Sequence, residues 1–518
     1  MIKKNLSLLI VSFGSLGLLF GCGSGGGNNS SSSASSSSSA SSSNSSSSKG
    51  DSSTQQSSSS SASSDNVTVE FWHTFGQKNQ EALQKKADSF SKLILDNTGA
   101  KVTIELKYQG GYDDIQTKIT QGFGAGNVPT MAIAYPDHVA NYLEMENDKP
   151  GRFVYNIDDY MDDSNIGFGT QSYLGDSADY GKDDFVQAFL EEGQNFIRTG
   201  TYSLPYMKSS EVMFYNKEAL AKALKIYKPE IIGDSNIESY ISSVSWDDFM
   251  GLCASIKANY SSISSALETP AYYDSDSNFF ISKMYQNNIG YSSIGTDSKG
   301  VIDFESGENR TKAEAMVTSI KKSYDDGLIV TKGTEGTYGS DMFTKMKTIF
   351  SIGSSGGTGY NMPSGDAFTV GVTRVPVSSN NPQFISQGPD ITFLKNPSFS
   401  TEENDLRMKY AWQFAKYITN PETNVYMCVY GSEGYIPIRY SAYSTDNFLE
   451  FLQEGEIYAK TATVLLNDID GHYLNTAVFK GSSTLRDQCG GIITSVLKQG
   501  TNVTSAFTTA INTTKLAM

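Results

Sequence analysis

The stretch Tyr202-Ser-Leu-Pro-Tyr-Met-Lys-Ser-Ser-Glu-Val-Met-Phe-Tyr-Asn-Lys217 carries the densest group of polar side chains set inside strand-forming sequence. Met207-Lys-Ser-Ser-Glu211 offers an ammonium, two hydroxyls and a carboxylate, with Val212, Phe214 and Tyr215 resuming strand composition. Pro205 has no N–H and does not fit a paired central strand. Two readings follow: a crossing between two lobes that hands polar groups to a ligand, or an ordinary strand, turn and helix. Ser354-Ser-Gly-Gly-Thr-Gly359 is a second candidate, because a glycine-rich loop after a strand can cradle an anion through backbone N–H groups. Tyr360 stands where a P-loop needs lysine, and a plain turn fits the composition equally well. The pairs Asp158-Asp159, Asp162-Asp163 and Asp183-Asp184 are the types that do acid–base chemistry, but they read as helix caps and solvated faces. His73, His138 and His472 match no metal-ligand spacing, so neither metal nor cofactor is expected.

These groups need elements to position them. Val67, Val69 and Phe71 alternate, which predicts a strand over 67–72. Leu83, Ala87, Phe90 and Ile94 share one helical face over 78–96. Val102, Ile104 and Leu106 alternate again, a short helix contains Ile115 and Ile119, and Pro129–Tyr135 is a third, apolar strand. Strand, helix, strand, helix, strand implies a parallel sheet, and ligands bind beyond the carboxyl ends of such strands. Those ends carry Trp72-His73, Tyr108 and Tyr135-Pro-Asp137. Further on, helices are predicted over 245–260 (N-cap Ser245), 310–326 and 406–418, and strands over 348–353, 368–372 and 388–393. From about 450 the chain reads as helical.

Composition narrows the partners. The 518 residues carry a formal charge of −16, which argues against nucleic acid. Thirty Tyr against three Trp and three His suits stacking on polar ligands better than metal chemistry. Lys3 and Lys4 followed by the apolar run Leu6–Phe20 form a targeting segment too short for a comfortable span. Leu19-Phe-Gly-Cys22 resembles a bacterial lipobox, so 1–22 reads as a lipoprotein signal peptide and Cys22 as the lipidated residue. The Ser-rich 23–65 cannot bury a core and reads as a disordered tether reaching roughly 35 Å. Cys253, Cys428 and Cys489 show no paired spacing and read as buried small hydrophobes.

Six motifs occur in order: Phe71-Trp-His-Thr-Phe75, Pro129–Asp137, Leu204–Lys217, Gly388-Pro, Trp412–Pro421 and Gly434-Tyr-Ile-Pro-Ile-Arg439. Together they resemble the family 1 extracellular solute-binding proteins of ABC importers, sugar- and glycerol-phosphate-binding members included. The resemblance implies an α/β, periplasmic-binding-protein-like fold of two lobes joined by hinge strands, with a ligand cleft between them. It places 66–205 and 340–390 in lobe one, and 206–339 and 391–518 in lobe two. It implies ligand contacts by Trp72, Tyr112 and Asp137, by Ser209 and Gly388 on the crossings, by Ser355 on the glycine-rich loop, and by Tyr435 and Arg486 on lobe two. Trp72 as plain core and Arg486 as a surface ion pair stay open beside this. Lys208, Arg486 and the glycine-rich loop lean towards an anionic ligand, whereas the tyrosines lean towards a neutral oligosaccharide. The function implied is a lipid-anchored, monomeric, non-enzymatic protein that delivers a sugar or polyol derivative to a permease in the membrane. The alternatives are a surface-anchored glycan hydrolase, which needs two carboxylates facing each other across a cleft, and an adhesin.

Overall fold

In the first sheet, the alternation at Val67, Val69 and Phe71 becomes the strand Asn66–His73. The computed structural model describes residues 65–147, 149–378, 381–432 and 434–518. Cys22, the targeting segment and the tether up to residue 64 lie outside the described residues. The described residues belong to one compact unit.

Lys101–Tyr108 pairs parallel with Asn66–His73, and Met131–Ala134 pairs parallel on its other side. Asp390–Phe393 then runs antiparallel to Met131–Ala134, and Leu204–Pro205 closes the sheet. Helix Gln77–Thr98 buries Leu83, Ala87, Phe90 and Ile94, the predicted face, and Gly99 ends it with a left-handed φ of 76°. Helix Thr401–Ile418 packs on the same core, with the Phe71 and Phe414 rings edge to face at 6.3 Å.

The second sheet runs in the order Val370–Arg374, Glu211–Asn216, Phe350–Ser354, Ala271–Tyr273, Ile329–Thr331. Glu211–Asn216 is buried on both faces. Val212 and Phe214 therefore join one core, and Met213 and Tyr215 the other. Around this sheet lie helix Trp246–Ala258, capped by Ser245 as the sequence predicts, and helices Asp276–Gln286, Gly307–Asp325, Ser482–Lys498 and Val503–Ala517.

The stretch 202–217 is a crossing. Leu204–Pro205 pairs in the first sheet and Glu211–Asn216 in the second. A second crossing returns beside it, with Ser209 and Gln387 exchanging backbone bonds of 2.8 and 2.9 Å. Gly388 sits there at φ +111°, and a β-carbon would lie 2.2 Å from the Met207 carbonyl oxygen.

The strand pairing corrects the expected partition of the lobes. Residues 340–390 were assigned to lobe one, yet Phe350–Ser354 and Val370–Arg374 pair in the second sheet. Residues 391–518 are expected in lobe two, yet Asp390–Phe393 at the start of that span pairs in the first sheet. The reason is that Phe350–Ser354 fills the slot between Glu211–Asn216 and Ala271–Tyr273, so the chain leaves the second lobe only after Arg374. The expected buried cysteines are found: Cys253, Cys428 and Cys489 are buried and free. The aspartate pairs serve the structure. Asp163 accepts from the Asn165 and Ile166 N–H groups, Asp158 accepts from Thr201 Oγ1, and Asp184 accepts from Ser441 and pairs with Arg439.

Candidate functional site

Where the two crossings meet, the lobes enclose a cleft of about 300 Å³. The first lobe supplies Asp113, Gln116, Tyr135–His138 and Glu192, the last residue of helix Gln187–Glu192; the returning crossing supplies Ile385–Gly388; the second lobe supplies Asn278, Asn475, Thr476, Ser483, Arg486 and Asp487. Helix periodicity aims the last group. In Ser482–Lys498 the positions Ser482, Leu485, Cys489, Ile492, Ile493 and Val496 are buried along one face, which leaves Ser483 and Asp487 on the opposite face and Arg486 at its flank. Asp137 occupies the first turn of helix Pro136–Glu144, started by proline at its first position.

Asp137 and Arg486 are bonded to each other across the cleft. Arg486 Nε donates to Asp137 Oδ2 at 3.2 Å, Ser482 Oγ donates to Asp137 Oδ1 at 2.6 Å, and Arg486 Nη1 donates to Asn278 Oδ1 at 3.1 Å. Burial pulls the guanidinium down, but the Asp137 charge and hydrogen bond, together with Tyr291 and Tyr135, outweigh it and hold it above the ordinary arginine range. The ion-pair reading of Arg486 is thus met, with both partners on the cleft wall.

Tyr112 stacks on Tyr135 with ring centroids 4.2 Å apart, and Tyr435 interacts electrostatically with each of them. Burial pushes all three phenols up. Tyr435 packs against Gly356, where a β-carbon would meet its ring at 2.9 Å. Of these three rings Tyr135 lines the cleft, whereas Tyr112 and Tyr435 are not among its lining residues.

The remaining predicted residues are placed differently. Ser355 is fully buried: its N–H donates to the Ser210 carbonyl at 2.8 Å and its Oγ accepts from the Ser210 N–H at 3.3 Å. The glycine-rich loop winds into a 3-10 helix, Ser355–Asn361, instead of an open cradle. Ser209 serves through its backbone, and Gly388 lines the cleft where its lack of a side chain lets the crossings approach. Trp72 is not brought to the cleft. It lies under helix Tyr112–Ala125 with Ile115, Ile119 and Ala132, and its indole N–H donates to Glu70. Strand alternation turns Trp72 away from Phe71, but both faces of this sheet are covered, so either direction leads into core.

Two buried polar centres support the cleft from behind. Lys208 Nζ donates to Asp390 Oδ1 at 2.7 Å and to Glu192 Oε2 at 2.8 Å, and Ser203 Oγ donates to Asp390 at 2.7 Å. Burial pulls Lys208 down, yet the charges of Asp390 and Glu192 prevail and hold it up. Glu211 accepts from Tyr273 Oη, and burial pushes its carboxyl up to about 8, against the pull of Tyr273, Asn278 and Arg486 and with the push of Asp274. A folded-state value raised from 4.5 means that this group contributes most stability below the unfolded value and loses that contribution as pH rises towards 8. Glu211→Gln is therefore expected to flatten the fall in urea-denaturation stability between about pH 5 and 8; an unchanged slope counts against it.

The sequence reading missed Glu192, Asn278, Asn475 and Asp487. Asp487 adjoins Arg486 and follows from the same helix face. The other three are single polar residues with no periodic or motif signal.

Two α/β lobes, paired crossings and a polar cleft between them define a hinged binding protein. Residues 87–451 match the model for the bacterial extracellular solute-binding protein family, and the chain belongs to that family. No curated protein matches by sequence. Solved structures share the fold. The GacH receptor of Streptomyces glaucescens, solved unliganded and with acarbose, is 17 % identical with a TM-score of 0.61 over 87 % of this chain and 97 % of that one. UgpB from Mycobacterium tuberculosis, in complex with glycerophosphocholine, is 16 % identical with a TM-score of 0.63 over 87 % and 98 %. Maltose-bound MalE3 of T. maritima is 13 % identical with a TM-score of 0.61 over 87 % and 100 %.

Proposed function

We propose that this chain is the substrate-binding lipoprotein of an ABC importer, capturing a carbohydrate-type solute in the cleft and delivering it to the permease. The observation that carries the reading is the cleft itself. Its wall is drawn from both lobes and from the returning crossing at Ile385–Gly388, so a ligand there contacts parts that must move together when the lobes close. The volume of about 300 Å³ falls at the small end of ligand pockets and suits a mono- or disaccharide-sized ligand. The Tyr135 ring and the polar wall are the mixture that sugar rings need. The relatives with solved ligands include acarbose, maltose and glycerophosphocholine binders.

Lipidation of Cys22 and the Ser-rich tether would hold the domain at the outer face of the membrane. Release of a Cys22→Ser chain into the medium tests the anchor; retention on the membrane counts against it. The binding reading is tested by thermal shift of the detergent-solubilised chain against sugars and polyols. A ligand at 100 times its dissociation constant adds about 2.7 kcal/mol, and a raised midpoint with one class is expected. No shift with any class, together with turnover of a chromogenic glycoside, would replace binding with hydrolysis.

A further inference from the structure

The charge of the ligand follows from the cleft wall. Both cationic side chains that the sequence marks as anion holders, and the first two N–H groups of the glycine-rich loop, are already engaged. Lys208 is fully buried between Glu192 and Asp390. Arg486 is held by Asp137 and Asn278. On the glycine-rich loop, the Ser355 N–H goes to the Ser210 carbonyl and the Gly356 N–H to Ser354 Oγ. An incoming phosphate would have to break one of these sets.

Negative charge dominates the wall. Asp113, Asp137, Glu192 and Asp487 line the cleft, against Arg486. Asp113 comes from the first lobe and Asp487 from the second. Burial first, and then the Asp113 charge, push the Asp487 carboxyl above the usual range, so the two repel across the gap. His138 does not offset them: burial lowers it, and its ring is neutral near pH 7.

Buried acceptors also wait for donors. Glu192, 9 % exposed, uses Oε2 for Lys208; its Oε1 holds no well-formed hydrogen bond, with only the Ser386 hydroxyl beside it to ease the charge. Gln387 Oε1 and Asn475 Oδ1 are buried without a donor. The Asn475 amide is fixed, because its Nδ2 donates to the Ala188 carbonyl at 2.6 Å. Such acceptors cost free energy until a ligand supplies N–H or O–H groups.

We infer that the cleft selects a hydroxylated ligand bearing a protonated amine, an amino sugar, with the ammonium between Asp113 and Asp487 and within reach of Glu192, and that it rejects sugar phosphates. This rests on the sugar-binding reading and narrows it. An ammonium relieves the repulsion between the lobes and donates charge-assisted bonds to the wall. A phosphate adds charge of the same sign to an already acidic wall.

The test is titration calorimetry of the full chain with glucosamine, N-acetylglucosamine, glucose and glucose 6-phosphate, and with the β-1,4-linked disaccharides of the first three. The free amines should bind at least about 10-fold tighter than their neutral counterparts at about pH 6.5. That preference should shrink at about pH 9, where the amine loses its proton. Asp487→Asn should lower the ratio of amine to neutral affinity. Asp113→Asn, at a fully exposed side chain, should do the same if the first variant folds poorly. Equal or tighter binding of neutral sugars, or binding of glucose 6-phosphate, overturns the amine assignment and leaves a sugar site standing. Binding of none of them overturns the sugar reading and this inference together.

Discussion

Lys208→Met is expected to destabilise the folded chain by about 3–5 kcal/mol, the range for breaking a buried ion cluster by removing one partner. Methionine fills much of the same volume, so little of the loss is cavity. The loss arises from what is left behind. Asp390 is fully buried and would keep only the Ser203 hydroxyl, while Glu192 would keep only Ser386. The Glu192 carboxyl, already pushed up by burial, would then rise further in the folded state, because the compensating ammonium is gone. A folded-state value above the unfolded one means that the fold binds protons more tightly. The variant should therefore regain stability relative to wild type as pH falls towards the carboxylate range. Urea denaturation at about pH 5 and pH 7.5 reads both effects. Adding Asp390→Asn should recover part of the loss. A variant as stable as wild type at both pH values would show that the cluster does not hold the crossing. Because Lys208 also exchanges backbone bonds with Ile436, of 3.1 and 2.8 Å, the damage should spread to the segment that carries Tyr435.

The sheets were legible because local rules decide them. Val67, Val69 and Phe71 bury alternately, and Leu83 to Ile94 bury with helical spacing. The crossing at 202–217 could be recognised because Pro205 must sit near an edge, and it does. The route of the chain was less legible. Nothing in Phe350-Ser-Ile-Gly-Ser354 says that it slots between strands that begin 139 and 79 residues earlier, at Glu211 and Ala271, since long-range pairing leaves no local period. The site followed the same division. Asp137 stands where a strand hands over to a helix, a place that ligands favour, and Arg486 lies on a polar helix face. Their mutual bond, across 349 residues, reverses the simplest expectation that each faces the ligand alone. Lys208 and Glu211 looked like free ligand groups because their neighbours are small and polar. Exposures of 0 % and 5 % place both in the interior, where their partners are Asp390 and Glu192 for the one and Tyr273 for the other.

Arg486→Ala is expected to weaken ligand binding about 10- to 100-fold and to open the ligand-free chain. Three bonds meet at this pair, and those to Asp137 cross from one lobe to the other. They exist only while helix Pro136–Glu144 lies against helix Ser482–Lys498, so they stabilise the closed arrangement and contribute nothing once the lobes part. A ligand that contacts both lobes binds the closed state, and its apparent affinity falls by the fraction of molecules no longer able to close. The charge-assisted bond at 3.2 Å is partly shielded from water, with Arg486 and Asp137 side chains 29 % and 12 % exposed, so screening removes only part of its worth. Small-angle scattering should show a larger radius of gyration for the ligand-free variant, and calorimetry should show the affinity loss. Arg486→Lys keeps the charge but loses the planar fork that reaches Asp137 and Asn278 together, so it should recover only part of the binding. Undiminished affinity with an unchanged scattering curve would mean that the hinge strands alone set the closed state. In that case the Asp137–Arg486 pair would be a neighbour of the ligand site rather than its latch.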